Sequence, residues 1–345
     1  MSYFGISIRN GLGLGLGNTP SLVTTPLSYR LAPSLNLQFA GAETLDSRIT
    51  FTRTTTATFT GSDGLIQTAA IDAPRFDYNP VTLAPRGLLT EEQRINLVLN
   101  SATLITQVVT VTAVAHTLSF YGTGTVTISG TFIGSLVGTG AYPTRSTLTF
   151  TPTAGVLTLT VTGSVTLAQL EAGACVTSYI PTVASQVTRA ADNAAMTGAN
   201  FSSWYNSTEG SFYVESQTQT TAAVAALAIQ ASDNSYNNRI VVGQNQTVSI
   251  GQVIVSNVVT LQPTANSLRS NAALKQAFGF VVNNAQFATN GVQSSPDISG
   301  AMVTGLTRFD IGGDHSGFNR LVGWISRISY YPRRLANAEL QALTR

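Results

Sequence analysis

The densest group of carboxylate and imidazole side chains lies in the segment RFDIGGDHSGFNR, which contains Asp310, Asp314 and His315. Carboxylate oxygens, together with backbone carbonyls, are the ligands that Ca²⁺ takes in proteins. Asp310 and Asp314 are therefore the candidate metal ligands, and Ca²⁺ is the one candidate cofactor; a solvated loop without an ion is the alternative. No serine motif such as GxSxG accompanies His315, so we do not predict a general base here.

Aromatic and amide side chains cluster in two further segments. NFSSWYNST contains Trp204 and Tyr205, and DNSYNNR contains Tyr236 and Asn237. An aromatic face offers apolar contact to the C–H groups of a sugar ring, while amides bond its hydroxyls. These four residues are the candidate glycan-binding residues. Trp324 falls in an alternating strand pattern, which predicts that it packs in a core.

A third segment, PRFDYNPVTLAPRGLLTEEQR, concentrates carboxylates and arginines: Arg75, Asp77, Arg86, Glu91, Glu92 and Arg94. Two carboxylates are what glycoside hydrolysis requires. Alternatively, the forked guanidinium groups pair with the carboxylates and fix a loop-rich collar. We favour the structural pairing, and we predict that the chain is not an enzyme.

Glycine and leucine alternate near the start of the chain, in GLGLGLG. This stretch lacks the Gly-Lys-Ser/Thr ending of a phosphate-binding loop. Alternating leucines give an extended segment one apolar edge, and such an edge pairs readily with another chain. We therefore predict that the segment attaches the protein to a partner or to sister chains, through Gly11, Leu12, Gly13, Leu14, Gly15, Leu16 and Gly17.

The composition excludes several classes of protein. Of 345 residues, 10% are charged and 43% are hydrophobic, so the chain is not intrinsically disordered and has far fewer charged residues than a typical soluble globular protein. Its net charge is +2 without a basic tract, which argues against nucleic-acid binding. Two histidines and one cysteine, Cys175, exclude a disulfide framework and a zinc cluster. Thr, Ser or Gly interrupts every long apolar run, so no membrane insertion is predicted. Assembly into an oligomer is the simplest way to cover the apolar surface.

The dominant sequence period is two, which is typical of β-strands. TVTISGTF places Val126 and Ile128 on one side, and VLTLTVTGSVTL places Leu157 and Leu159 opposite its threonines. Many short strands separated by Gly-containing turns indicate an all-β chain of tandem antiparallel β-sandwiches. The tail RRLANAELQALTR predicts a short C-terminal helix with Asn337 as its N-cap.

Changes in composition divide the chain into four predicted segments. Residues 1–48 form an irregular N-terminal attachment and oligomerisation segment, and 49–99 form a linking collar with one strand. Residues 100–182 form a first, Thr-rich sandwich. Residues 183–345 form a second sandwich, and the stretch ASQVTRAADNAAM lies at the joint between them.

The region from Asp63 to Ser101 resembles a segment common in structural proteins of tailed bacteriophages. The similarity rests on PRFDY, APRGLL and EEQR-x-NL, that is, on Pro74, Arg75, Phe76, Asp77, Tyr78, Arg86, Gly87, Leu88, Glu91, Glu92, Arg94 and Asn96. Two later stretches also resemble parts of known folds. The end of a carbohydrate-binding-module-like sandwich resembles the stretch QLEAGACVTSYIPTVASQVTRAAD. The last strands of a concanavalin-like, laminin-G-type jelly roll resemble the stretch IGGDHSGFNRLVGWISRISYYPRRLANAELQAL.

This resemblance implies a virion structural protein: an oligomeric fibre, spike or appendage, a trimer by preference, that displays lectin-like sandwiches for host-surface glycans. The N-terminal segment would then bind other virion proteins, and the protein would be located in the virion after assembly in the bacterial cytoplasm. Two alternatives stay open. One is a capsid or tail decoration protein that cements its neighbours without binding sugar, and the other is a polysaccharide-degrading enzyme.

Overall fold

The computed structural model describes residues 32–219, 226–244, 248–263, 265–266 and 273–345. Nearly all regular structure in this part of the chain is antiparallel β, so the predicted all-β fold class is confirmed. Pro33–Arg345 form one compact unit. The predicted attachment motif Gly11–Gly17 lies outside the described residues. No helix in the described part is long and apolar enough to cross a bilayer.

The strands of the first half of the chain are β1 Leu35–Gln38, β2 Thr50–Thr52, β3 Ala57–Thr60, β4 Ile66–Ala69, β5 Phe76–Tyr78, β6 Pro85–Thr90, β7 Arg94–Asn96, β8 Gln107–Val111, β9 His116–Tyr121, β10 Thr125–Gly130, β11 Gly134–Val137, β12 Ser146–Phe150, β13 Gly155–Thr162 and β14 Thr166–Ala172. Those of the second half are β15 Val187–Arg189, β16 Asn193–Thr197, β17 Glu209–Thr218, β18 Ala226–Ser232, β19 Arg239–Gln244, β20 Val248–Val255, β21 Val258–Leu261, β22 Ala265–Asn266, β23 Leu274–Val281, β24 Asn284–Thr289, β25 Val292–Gln293, β26 Arg308–Ile311 and β27 Gly323–Tyr331. The helices are α1 Ala199–Ser202 and α2 Asn337–Leu343.

Two large sheets form the larger of two sandwiches. One sheet has the order β25-β24-β23-β17-β27-β6-β5, with β1 also paired to β27, and the other has the order β2-β16-β26-β18-β19-β20-β21, with β22 paired to β20. Their inner faces share one aromatic-rich core that includes Phe212, Phe278 and Phe309. Buried aromatic side chains contribute large apolar areas, so this core is the main source of stability of the large sandwich.

The small sandwich lies between strands of the large one in sequence. Its sheets have the orders β11-β10-β13-β8 and β12-β9-β14. Ile128 pairs with Leu159 in register, and both are fully buried, while the neighbouring Thr127 and Thr160 point outward. The alternation read from the threonines is therefore confirmed.

The sheets group the chain differently from the four predicted segments. We predicted one strand over 49–99, whereas the structure has six, β2 to β7. Strands β1, β2, β5 and β6 all join the sheets of the large sandwich, so residues before 100 complete a sandwich that the sequence assigned to 183–345. The pattern could not reveal this, because pairing between strands far apart in sequence leaves no local periodicity.

The predicted C-terminal helix is present, but its first residue differs. Ala336 precedes the helix, and Asn337 is the first helical residue, so the N-cap assignment of Asn337 is wrong. The Ala336 backbone N–H donates to Glu339 Oε2 at 2.7 Å, which replaces the side-chain cap expected from Asn337. Leu340 is fully buried against the sandwich, as its helical spacing predicted.

Charged side chains are buried together where the two sandwiches meet. We call Arg53, Arg75, Glu91, Arg189 and Asp192 the charge cluster. Arg75 reaches Glu91 Oε2 at 2.7 Å and Asp192 Oδ2 at 2.5 Å. Arg189 reaches the same Glu91 oxygen at 2.6 Å, and Arg53 reaches Asp192 Oδ1 at 3.1 Å. The predicted pairing of arginines with carboxylates in the collar is thus confirmed.

Glu91 is the central acceptor of the charge cluster. Burial by itself raises the pKa of this carboxyl, but the charges of Arg189 and Arg75 outweigh it, and the pKa falls to about 2. Ser178 adds two bonds, from its backbone N–H at 2.6 Å and its hydroxyl at 2.7 Å. The collar is therefore fixed by charge-assisted bonds between segments that precede and segments that follow the small sandwich in sequence.

Trp324 is buried as predicted, but on the opposite face from Ile328 and Tyr330. The register between β17 and β27 shifts by one residue at Ser326, which places Ile325 in the core beside Ile328 and Tyr330. An extra residue in a strand reverses the alternation beyond it. Trp324 consequently turns away from the core and lines a cleft beside the collar.

Candidate functional site

Two groups of residues that the sequence analysis treated separately meet at one end of the large sandwich. We call Gln230, Tyr236, Arg239, Asp310, Asp314 and His315 the Tyr236 patch. Gln230 on β18 is the cross-strand partner of Asp310 on β26. Their neighbours Ile229 and Phe309 point into the core, so both polar side chains lie on the outer face of the sheet. Tyr236 follows β18, Arg239 begins β19, and the loop after β26 supplies Asp314 and His315.

Side-chain contacts connect the patch. Gln230 Nε2 lies 3.2 Å from His315 Nδ1, and the His315 ring lies edge-on to Tyr236 with centroids 4.6 Å apart. The Tyr236 hydroxyl donates to Asp314 Oδ2 at 3.1 Å and also contacts the Ser316 hydroxyl. The Arg239 guanidinium lies 4.8 Å from the Tyr236 ring centroid. This stacking occupies one face of Tyr236, so only the rest of the ring is open to a ligand.

Two buried oxygens of the patch have no hydrogen-bond partner. They are Gln230 Oε1 and Asp310 Oδ2, on side chains that are 0% and 3% exposed. Burial raises the pKa of the Asp310 carboxyl, although Arg308 opposes this through a 2.6 Å bond to the other oxygen. Because a buried acceptor without a donor is costly, these oxygens indicate a ligand or water that donates hydrogen bonds to them.

The structure does not support the predicted cation site. The Asp314 carboxylate already accepts five bonds, from Ser316 N and Oγ, Phe318 N, Asn319 Nδ2 and the Tyr236 hydroxyl. Burial opposes the ionised form of Asp314, but these donors prevail and lower its pKa. In the described residues no group of three or more His, Cys, Asp or Glu side chains could hold a metal. Ca²⁺ takes six to eight oxygen ligands, and Ca²⁺ binding at Asp310 and Asp314 stays a prediction.

The predicted glycan-binding residues divide into two sets. Tyr236 belongs to the patch, and the neighbouring Asn237 is exposed, with its backbone N–H bonded to Ser235 Oγ at 3.0 Å. Trp204 is only 4% exposed, so the prediction that it contacts sugar is wrong. Tyr205 stacks on Phe201 at 4.8 Å and packs against the same core, so its ring is not free either.

The buried aromatic pair has a local explanation. Trp204 follows the one-turn helix α1 and donates its indole N–H to Asn200 O at 2.8 Å. Its ring lies edge-on to Phe309 at 5.2 Å. Burial raises the pKa of the Tyr205 hydroxyl. A polar sequence context, NFSSWYNST, thus surrounds side chains that close one end of the core.

Sequence reasoning missed two members of the patch, Gln230 and Arg239. Both lie in strands, and only the pairing of β18 with β26 and β19 brings them together. Phe318, in the same loop as Asp314, is 71% exposed and was not predicted as a site residue either.

Comparisons with known proteins concern part of the fold. No family model matches the chain, and no curated protein matches it in sequence. The chain is similar to the CBM40 of the Ruminococcus gnavus IT-sialidase, with 14% identity, a TM-score of 0.35, and coverage of 41% of this chain and 84% of that one. It is also similar to the NanB sialidase from Streptococcus pneumoniae, with 10% identity, a TM-score of 0.36, and coverage of 44% of this chain and 26% of that one. A third similarity is to the botulinum neurotoxin serotype G binding domain, with 14% identity, a TM-score of 0.34, and coverage of 44% of this chain and 40% of that one.

Proposed function

We propose that this chain is a non-enzymatic virion structural protein of a tailed bacteriophage, an oligomeric fibre, spike or appendage that binds a host-surface glycan through the Tyr236 patch. The observation that carries the glycan part is the pair of buried, unpartnered oxygens, Gln230 Oε1 and Asp310 Oδ2. Sugar hydroxyls can donate hydrogen bonds to such acceptors through an enclosed water. Exposed Asn237 and Phe318, in the loops that carry Tyr236 and Asp314, supply an amide and an apolar face.

The two carboxyls of the patch do not favour hydrolysis. Glycosidases need one carboxylic acid that gives up its proton and one free carboxylate. Asp314 is held ionised by five donors, and protonation would disrupt that loop. Burial raises the pKa of Asp310, but this carboxyl is only 3% exposed and bonded to Arg308, so it is not placed to give a proton to a leaving group. The patch therefore suits binding better than acid–base catalysis.

The virion part rests on the sequence resemblance and on composition. In this proposal the part of residues 1–48 that precedes β1 attaches to other virion proteins, because β1 itself pairs with β27 in the large sandwich. A homotrimer is the favoured assembly. Several copies on one particle would convert weak single-site binding into strong attachment by avidity. The protein would assemble in the bacterial cytoplasm and remain in the virion.

The test uses the purified full chain on an array of bacterial capsular polysaccharides and lipopolysaccharides. We expect binding that Asn237→Ala and Phe318→Ala each weaken, since both side chains are exposed and can be removed without unfolding the protein. Ile133→Ala, at an 83% exposed position on the small sandwich, is the matched control and should bind normally. An array without signal, or variants that bind like the control, would refute a glycan site at the patch.

A decoration protein is the second candidate, because one face of the small sandwich carries no charge. The outward side chains of β11-β10-β13-β8, which we call the Thr face, are Val108, Thr110, Thr125, Thr127, Ser129, Ser135, Val137, Val156, Thr158, Thr160 and Thr162. A flat neutral face of this kind suits contact with copies or neighbours. Hundreds of copies per particle by mass spectrometry, with no glycan signal, would favour this candidate.

A further inference from the structure

A cleft of about 220 Å³ lies beside the collar, away from the Tyr236 patch. The ribbon β3-β4, the small sandwich and β27 of the large sandwich each form part of its wall. The Tyr142 hydroxyl donates to Gly64 O at 2.7 Å, which fixes the small sandwich against the ribbon. The volume is below the roughly 300–1,000 Å³ of pockets for drug-sized ligands, so the cleft suits a single small ring.

Aromatic side chains from both sandwiches line this cleft. Tyr121 and Tyr142 come from the small sandwich, with ring centroids 5.2 Å apart. Trp324 comes from the large sandwich and is turned into the cleft by the register shift at Ser326. Aromatic walls that meet from different elements offer apolar contact to the C–H face of a saturated ring.

Arg86 is the polar group of the cleft with the most unused bonding capacity. Its guanidinium lies 4.3 Å from the Trp324 ring centroid and 3.6 Å from Asp77 Oδ2. Asp77 is already engaged by the Trp324 indole N–H at 2.8 Å and the Thr60 N–H at 2.7 Å. Among the described residues no hydrogen bond of 3.5 Å or less occupies the Arg86 donors, and the side chain forms part of the cleft wall.

The charge in the cleft favours an anion. Arg145 is a second guanidinium there, anchored by bonds to Thr177 O at 2.7 Å and Ser119 Oγ at 2.8 Å, and its buried Nε has no partner. Glu91 also touches the cleft, but the arginines of the charge cluster neutralise it. Besides Glu91, the cleft therefore holds two guanidiniums and one carboxylate, Asp77, which Arg86 partly balances.

We infer that this cleft binds a hexuronate unit of an acidic polysaccharide, with the carboxylate on Arg86 and the sugar ring against Trp324, Tyr121 and Tyr142. The forked guanidinium matches a carboxylate in two parallel hydrogen bonds. This site is separate from the one in the proposed function, because the cleft and the Tyr236 patch share no residue.

The experiment is a calorimetric and tryptophan-fluorescence titration of the full chain with D-glucuronate, D-glucose and acetate. We expect glucuronate to bind more tightly than either, and to change the emission of Trp324. Arg86→Met keeps an apolar side chain over the indole but removes the donors, and should weaken glucuronate binding by about 10- to 100-fold. Arg86→Lys keeps the charge without the forked donors, so its affinity for glucuronate should lie between those of the unmodified chain and of Arg86→Met.

Arg327→Met is the matched control, since Arg327 also lies over an aromatic ring, Tyr213, at 5.6 Å, but outside the cleft. It should bind glucuronate normally. If acetate binds as tightly as glucuronate, the sugar ring is not recognised. If glucose binds as tightly as glucuronate, the carboxylate is not recognised. Either result would overturn the inference. Unchanged binding by Arg86→Met, or equal loss in Arg327→Met, would overturn the site itself. Phe318→Ala should leave this titration unchanged, so failure of the patch and failure of the cleft are distinguishable.

Discussion

The charge cluster and the Thr face distribute charge in opposite ways. In the cluster three arginines and two carboxylates are almost completely buried, whereas the Thr face exposes Thr, Ser and Val side chains only. Most soluble proteins do the reverse, because buried charges are expensive and surface charges maintain solubility. The difference teaches that this chain uses charge to fix one arrangement of its sandwiches, and leaves an outer face free of the repulsion and desolvation that would oppose contact with a neighbour.

The largest effect that would test this comparison comes from Glu91→Gln. The substitution leaves the Arg189 and Arg75 charges buried without their shared counter-charge. Removing one partner of a buried ion pair costs about 3–5 kcal/mol of unfolding free energy. Denaturant unfolding measures this loss. Glu339→Gln, which breaks the exposed pair with Arg333, is the control and should cost less than about 1 kcal/mol. Equal losses of unfolding free energy in the two variants would show that the charge cluster stabilises the fold no more than an exposed ion pair does.

The unfolding free energy should depend on pH through the ionisation of Glu91. The pKa of Glu91 is about 2 in the folded chain, below its ordinary value of 4.5. Glu91 therefore contributes stability, about 3 kcal/mol, that is complete above pH 4.5 and is lost as the pH falls toward 2. Unfolding curves between pH 6 and pH 2 measure the loss. In Glu91→Gln this part of the acid sensitivity should disappear; a curve as steep as that of the unmodified chain would contradict the assignment.

Trp324→Phe should have an intermediate effect. It removes the indole N–H that donates to buried Asp77, which costs about 1–3 kcal/mol because the acceptor is a carboxylate. Thermal unfolding of Trp324→Phe measures the loss, and an unchanged stability would contradict a charge-assisted role for Asp77.

The smallest effect on stability is expected on the Thr face. Thr110→Lys with Thr160→Lys places two charges at outward positions that are not register partners, so each should change the unfolding free energy by no more than about 0.5 kcal/mol. If the face mediates assembly, light scattering should nevertheless show a lower mass than for the unmodified chain. Thr82→Lys, in an exposed loop, is the control and should keep the assembled mass. An unchanged mass in the double variant would exclude the Thr face as the contact.

The sequence predicted local structure better than it predicted the site. Alternation identified the strands around Ile128 and Leu159 because both faces of a half-buried strand are recorded in successive residues. It failed at Trp324, since one extra residue at Ser326 reverses the alternation. The prediction of a sugar contact failed at Trp204, where polar neighbours in sequence surround a side chain that packs in the core. Gln230 could not be found at all, because its role arises from pairing with Asp310, eighty positions away.

Strand β1 makes the biosynthesis of the large sandwich unusual. Leu35 is the register partner of Tyr330, so this early strand finds its partner only after about 300 further residues have been synthesised. At about 5–20 residues per second the wait is roughly 15–60 s. The small sandwich, by contrast, is contiguous in sequence and can fold during that interval. Nascent chains therefore pass through a stage in which one sandwich is complete while the early strands of the other are still unpaired, and this stage is where a chaperone or a sister chain would act.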